Sequence, residues 1–262
     1  MSVSNLKSRW QADETIVNAW ISIPNSWTAE IVAHAGFDTM TIDTQHGLAT
    51  DLSTILPMLQ AILATGTVSF VRLPDHNAAY IMRMLDAGAG GLICPMVNNR
   101  HEAEEFVKNC HYPPLGYRSF GPVRAGELYK GDYFKDAADT FLTMVMIETA
   151  DGVKNLDEIA ATPHLDGLYV GPWDLSLAMD FNTLADFQSP DLLKLLDKIL
   201  NAAAKHGKTA GIHCNSPETA RQMSEMGFRF VTPFSDSSGL SNAANEALKE
   251  FKSNRSPETN GY

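Results

Sequence analysis

Residues 67–97 read "TVSFVRLPDHNAAYIMRMLDAGAGGLICPMV". The first seven form a near-continuous apolar run of the kind found in a strand buried on both faces. A helical pattern, "NAAYIMRMLDAGAGG", follows and runs into glycines, where a helix stops. "GLICPMV" at 91–97 is then a second buried-strand run. Strand, helix and strand in about thirty residues make a parallel βαβ unit, because parallel neighbours need a crossover of this length.

The same grammar extends in both directions. Upstream lie "VNAWISI" (17–23) and "DTMTID" (38–43), and downstream "LTMVMIE" (142–148), "GLYVGP" (167–172), "TAGIHC" (209–214) and "FRFVTPF" (228–234). Helical patterns separate them. "WTAEIVAHAG" has Thr28 as its cap candidate and stops at Gly36, and "LSTILPMLQAILATG" stops at Gly66 with Pro57 as an expected interruption. Ser189-Pro190 and Ser216-Pro217 open two later helices that end at Gly207 and Gly227. Eight strands alternating with about eight helices predict one α/β domain, a (β/α)₈ TIM barrel over residues 1–252, with a polar tail, "SNRSPETNGY", at 253–262. A doubly wound open sheet is the alternative, but the chain has no GxGxxG or GxxxxGK[ST] motif to favour it.

Bulk properties narrow the function. With 31 acidic and 20 basic side chains, the net charge is −11 and the basic residues form no stripe, which argues against nucleic acid. An anionic substrate must therefore meet a locally built site rather than a long-range field. The N-terminal "MSVSNLKSRWQADE" lacks the apolar core of a signal peptide, and no apolar run has membrane-spanning length. Cys94, Cys110 and Cys214 form no disulfide framework, and the reading is of a cytoplasmic protein with no membrane partner.

In a barrel, the ends of the strands and the loops after them form the active-site face. Asp43 and His46 end the second strand, Arg72 the third, and Glu148 the fifth. Asp174 follows the sixth, His213 ends the seventh, and Ser235 and Asp236 follow the eighth. So many ionisable groups on one face are costly to bury without a task or a metal. Glu148 and Asp174 are hard oxygen donors on neighbouring strands, which suits Mg²⁺, Mn²⁺ or Co²⁺ and leaves room for a chelating substrate. Arg72 is placed to stabilise an oxyanion, and His46 carries the side-chain type best suited to moving protons at neutral pH. "GPWDLS" (171–176) is a strand-to-helix turn whose amides suit a carboxylate. The lysines fall in helices, loops or the tail, save Lys208 at the wrong end of a strand, so Schiff-base chemistry is excluded. The long segment 98–141, which contains "HYPPLGYRSFGPVRAGELYKGDYF", places Arg118 and Arg124 as candidates to grip a distal carboxylate.

Six pieces in order, "IDTQHG", "VRLP", "MLDAGAGGLICPMV", "YPPLGYRSFGP", "MIET" and "VGPWDLS", resemble the HpcH/HpaI aldolase family over about residues 5–250. The resemblance implies a divalent-metal-dependent (class II) carbon-carbon lyase, an aldehyde-lyase. Such an enzyme cleaves a 4-hydroxy-2-oxo acid to pyruvate, or a close 2-oxo acid, and an aldehyde through a metal-bound enolate. It further implies Glu148 and Asp174 as metal ligands and His46 as the catalytic base. Asp86 becomes the acid that raises the basicity of His46, and Arg72 the enolate stabiliser. Gly171, Pro172, Trp173 and Met146 become substrate-binding positions, with Arg118 a further candidate. Gln45, Met146 and Trp173 depart from the family pattern and bear on the choice of substrate. Family members are usually hexamers built as trimers of dimers, which implies a homo-oligomer and a role for "NAANEALKEF" (242–251) in packing on a neighbouring barrel. A citrate-lyase β-type thioester lyase and a non-catalytic barrel binding protein are the competing expectations.

Overall fold

The computed structural model describes residues 2–129 and 131–253. Eight parallel strands close on themselves in sequence order: β1 (Ile16–Ile21), β2 (Thr39–Asp43), β3 (Val68–Arg72), β4 (Gly91–Cys94), β5 (Leu142–Ile147), β6 (Gly167–Val170), β7 (Thr209–His213) and β8 (Phe230–Ser235). The closed barrel sets aside the open sheet. Each expected apolar run contains or overlaps its strand. Among the described residues, no helix is long and apolar enough to cross a membrane. The expected tail meets the described chain only at Ser253, which ends the last helix; its other residues lie outside the described ones.

The buried residues divide into two main layers. Inside the barrel, Ile16, Trp20, Phe70, Met144, Met146, Tyr169 and Phe230 pack together, and the helix Val3–Gln11 plugs the N-terminal end with Val3 and Leu6. Outside it, Ile42, Val71, Leu92, Val145, Leu168 and Ile212 meet the apolar stripes of the surrounding helices. Residues alternate between these layers along each strand because successive side chains point to opposite faces. This alternation explains the near-continuous apolar runs in the sequence.

Local chemistry sets the helix starts. Asn25, extended at φ −145°, accepts from the amides of Trp27 and Thr28, so the cap lies three residues before the expected Thr28. Pro57 sits inside the helix Leu52–Ala64 without ending it. Gly88, at φ +92°, terminates the helix Ala78–Asp86, and a Cβ there would lie 2.5 Å from Leu128 Cδ1. Glycine adopts this φ without strain and leaves the Leu128 side chain its place. Lys208 lies just before β7 and donates to the carbonyls of Thr162 and Leu165, at the end of the barrel away from the strand C-termini. All three cysteines are free and buried.

Candidate active site

At the C-terminal ends of the strands, Trp20, Arg72, Met146, Tyr169, Gly171, Trp173, Asp174 and His213 line a cavity of about 180 Å³. They come from β1, β3, β5, β6, β7 and the turn after β6. No lysine is among them.

Asp43 and Arg72 face each other in the β2–β3 register. The guanidinium donates to both carboxylate oxygens, from Nε at 2.9 Å and from Nη2 at 2.6 Å. Trp20 Nε1 adds a third bond to Asp43 at 3.2 Å, and its indole lies under the Arg72 guanidinium at 4.8 Å. Burial pushes the Asp43 carboxyl up, but the Arg72 bonds and charge outweigh it and hold the group below the usual carboxylate range. Two partners fix Arg72 in one orientation, and Nη1 has no protein acceptor among the described residues.

Glu148 follows β5 and is 2% exposed. Its Oε1 accepts from the Met96 amide at 2.7 Å, while Oε2 is buried without a partner. A Cβ on Gly171 would lie 2.4 Å from that oxygen, so the glycine keeps the space beside it open. Burial pushes the Glu148 carboxyl up to about 7; the Met96 amide opposes this and the nearby Asp174 charge adds to it. A buried carboxylate oxygen without a donor, beside a second carboxylate, is a place that lacks positive charge. Asp174 stands in the first turn of the helix Pro172–Ala178 and is exposed to the cavity. No group of three or more His, Cys, Asp or Glu side chains with metal-site geometry occurs among the described residues, so this two-carboxylate arrangement would leave most coordination positions to water and substrate. The hard oxygen donor set therefore fits a divalent cation such as Mg²⁺ or Mn²⁺.

Only some of the sequence candidates meet at the cavity. Arg72, Asp174, Gly171, Trp173 and Met146 line the cavity, and Glu148 lies beside it under Gly171. Pro172, buried, begins the helix that carries Asp174. His46 lies on the loop after β2, and its amide donates to Asp43 Oδ1 at 3.1 Å, the oxygen that also receives Arg72 Nε. Its side chain is exposed and is not part of the cavity wall. Asp86 and Arg118 are placed differently from the expectation. The Asp86 carboxylate receives Arg118 Nη2 at 2.6 Å, and no hydrogen bond joins it to His46 among the described residues. Arg118 is buried against the rings of Tyr112 and Tyr133, so it reaches into the 98–141 segment rather than the cavity. Arg124 donates to the Ala87 carbonyl. Asp236 is structural: its two oxygens accept from the Ser22 and Ile23 amides and tie the last helix to the end of β1.

Several residues of the site had no assigned role in the sequence. Trp20 and Tyr169 are among them, and Asp43 and His213 were marked only by their places at strand ends. The available signal is positional: Trp20 and Tyr169 sit one residue before the ends of β1 and β6, on the inward face.

The chain is similar to known proteins along nearly its whole length. Residues 17–243 match the family described as HpcH/HpaI aldolase/citrate lyase. The chain is 35% identical to a hydroxypyruvate/pyruvate aldolase of Rhizorhabdus wittichii, across 95% of this chain and 99% of that protein. It is 32% identical to a 5-keto-4-deoxy-D-glucarate aldolase of Escherichia coli, across 95% of this chain and 97% of the relative. Among solved structures, an HpcH/HpaI aldolase/citrate lyase family protein of Burkholderia cenocepacia superposes with a TM-score of 0.87 at 33% identity, covering 95% of this chain and 99% of that one.

Proposed function

The chain belongs to the HpcH/HpaI aldolase/citrate lyase family and is a lyase of the aldolase kind, and on that premise we propose that it cleaves a 4-hydroxy-2-oxo acid to pyruvate, or a close 2-oxo acid, and an aldehyde. The observation that carries this reading is the buried, unpartnered Glu148 Oε2 under Gly171, beside a cavity whose wall holds Asp174 and Arg72. Glu148 and Asp174 would hold a divalent metal, Mg²⁺, Mn²⁺ or Co²⁺. When bound, that metal supplies Lewis-acid polarisation of the 2-oxo group and offsets the negative charge of the enolate.

The protein's own groups supply the rest. Gly171 through Asp174 present a turn whose amides suit the substrate carboxylate. Arg72, clamped by Asp43, directs Nη1 at the oxygen where charge develops and needs no reorientation during the reaction. His46 takes the proton from the C4 hydroxyl, the C3–C4 bond breaks, and a proton returns to C3 of the enolate. The Asp43 bond to the His46 amide ties its loop to the Arg72 clamp. Trp20 and Trp173 wall the site and limit water around the enolate.

The test is pyruvate release from a panel of 4-hydroxy-2-oxo acids by EDTA-treated protein, with and without each metal. Metal-dependent release is expected, together with decarboxylation of oxaloacetate, which requires the same enolate stabilisation. No release with any metal from folded protein moves a thioester lyase or a binding protein ahead of this reading.

We also propose that the protein works as a homo-oligomer, a hexamer arranged as a trimer of dimers. The last helix, Asp236–Ser253, spans about 27 Å at 1.5 Å per residue, and residues 241–253 are all exposed. Leu240 and Leu248 on this helix, and Trp27 and Ile31 on the helix Ser26–Ala33, add apolar surface that water would otherwise meet. Sedimentation of the wild type is expected to give a hexamer, and Leu248→Glu smaller species; a monomeric wild type would refute the assembly.

A further inference from the structure

His213 ends β7 and forms part of the cavity wall. Its ring stands edge-on between two indoles, with centroids 4.9 Å from Trp20 and 5.6 Å from Trp173, at interplanar angles of 87° and 77°. A leucine or phenylalanine would satisfy such an apolar slot. An imidazole in this half-buried place needs a hydrogen-bonding reason, because a polar group drawn away from water without partners is unfavourable. Burial, with the Arg72 charge, holds the His213 pKa down at about 4, so the ring is neutral, with one donor nitrogen and one acceptor.

The polar chain beneath the ring decides which nitrogen donates. Asn18 Oδ1 accepts from the Thr39 and Thr41 hydroxyls at 2.9 and 3.0 Å, which leaves its amide to donate to Thr232 Oγ1 at 3.0 Å. Thr232 Oγ1 lies 2.8 Å from the Tyr169 hydroxyl, which lies 3.5 Å from His213 Nδ1. Run from Asn18 to His213, each hydroxyl accepts one proton and donates one. In the reverse direction Thr232 accepts twice, and its own proton has no acceptor among the described residues. The first direction makes Nδ1 the acceptor and places the proton on Nε2. That N–H has no protein acceptor among the described residues.

We propose that His213 is a specificity-determining residue that donates Nε2–H to a substrate hydroxyl, so that the preferred substrate carries a hydroxyl next to its carbonyl carbon. The proposal rests on the aldolase reading and deepens it. The hydroxyl has two chemical sources, C3 of the 2-oxo acid or C2 of the aldehyde, and the experiment separates them.

Aldol addition by the metal-supplied enzyme is measured for hydroxypyruvate against pyruvate with one aldehyde. It is then measured for glycolaldehyde against acetaldehyde with one 2-oxo acid. In one arm, the wild type is expected to favour the hydroxylated partner at least tenfold in kcat/KM. His213→Phe keeps a ring in the slot and removes the donor, and its preference in that arm is expected to fall about tenfold or more, chiefly through KM. His213→Gln restores an N–H and is expected to recover part of the preference. Trp20 and Trp173 flank the ring, so tryptophan fluorescence reports binding of hydroxypyruvate, pyruvate, glycolaldehyde and acetaldehyde without turnover. The same affinity ratios are expected to shift there. Active enzyme with no hydroxyl preference in either arm, or a His213→Phe protein that keeps the wild-type preference, overturns the role of His213. Absence of turnover with every pair and metal counts against the aldolase reading instead. In that case the fluorescence ratios still decide the His213 contact: a loss of hydroxyl preference in His213→Phe supports it, and no preference in the wild type or an unchanged one in His213→Phe overturns it.

Discussion

Glu148→Gln is expected to lower metal-dependent pyruvate release by roughly 10³-fold or more, which corresponds to about 4 kcal/mol of transition-state stabilisation. Glutamine has nearly the volume of glutamate, so the buried space under Gly171 stays filled. The oxygen that accepts from the Met96 amide can also be kept by the amide carbonyl. What disappears is the negative charge beside Asp174, and with it the affinity for a divalent cation. The neutral side chain removes the unfavourable burial of charge that raises the Glu148 pKa, so the variant is expected to unfold at or above the wild-type temperature. Loss of activity with retained or increased stability is the distinguishing outcome. Calorimetric titration with Mn²⁺ checks the cause directly, and wild-type metal affinity in Glu148→Gln would exclude Glu148 as a ligand.

Arg72→Met is expected to fail on both counts. Asp43 is 2% exposed, and two of its bonds come from this guanidinium. Removing one partner of a buried ion pair leaves an uncompensated charge and costs about 3–5 kcal/mol. For a chain of this size that is a loss of roughly 10 °C in melting temperature. Activity should also fall, because no other side chain in the cavity wall is cationic. Asp43→Asn combined with Arg72→Met separates the two effects. The double variant removes both charges and is expected to recover most of the stability while remaining inactive. Recovery of activity along with stability would show that Arg72 serves Asp43 rather than the substrate. The measurement is a double-mutant cycle on thermal unfolding, with pyruvate release read in parallel.

The sequence by itself determined the barrel and the side chains that head its active-site face. Strand-forming runs, glycine stops and Ser-Pro starts are local signals, written within a few residues of where they act. Parallel strands in a closed barrel all point the same way, so a residue at the end of a run is placed on the active-site face without knowing its neighbours. Glu148, Asp174, Arg72 and His213 were legible for that reason. Pairwise contacts were not, because they depend on register and on which helix end meets which loop. Asp43 faces Arg72 only through the β2–β3 register. Asp86 stands three residues beyond Arg83 on one helix, and nothing local to it names Arg118, 32 residues away, as its partner. The hydrogen-bonded chain from Asn18 through Thr232 and Tyr169 to His213 draws on β1, β8, β6 and β7. Only closure of the barrel brings those four strands around one interior, and so only the tertiary structure orients the imidazole at its end.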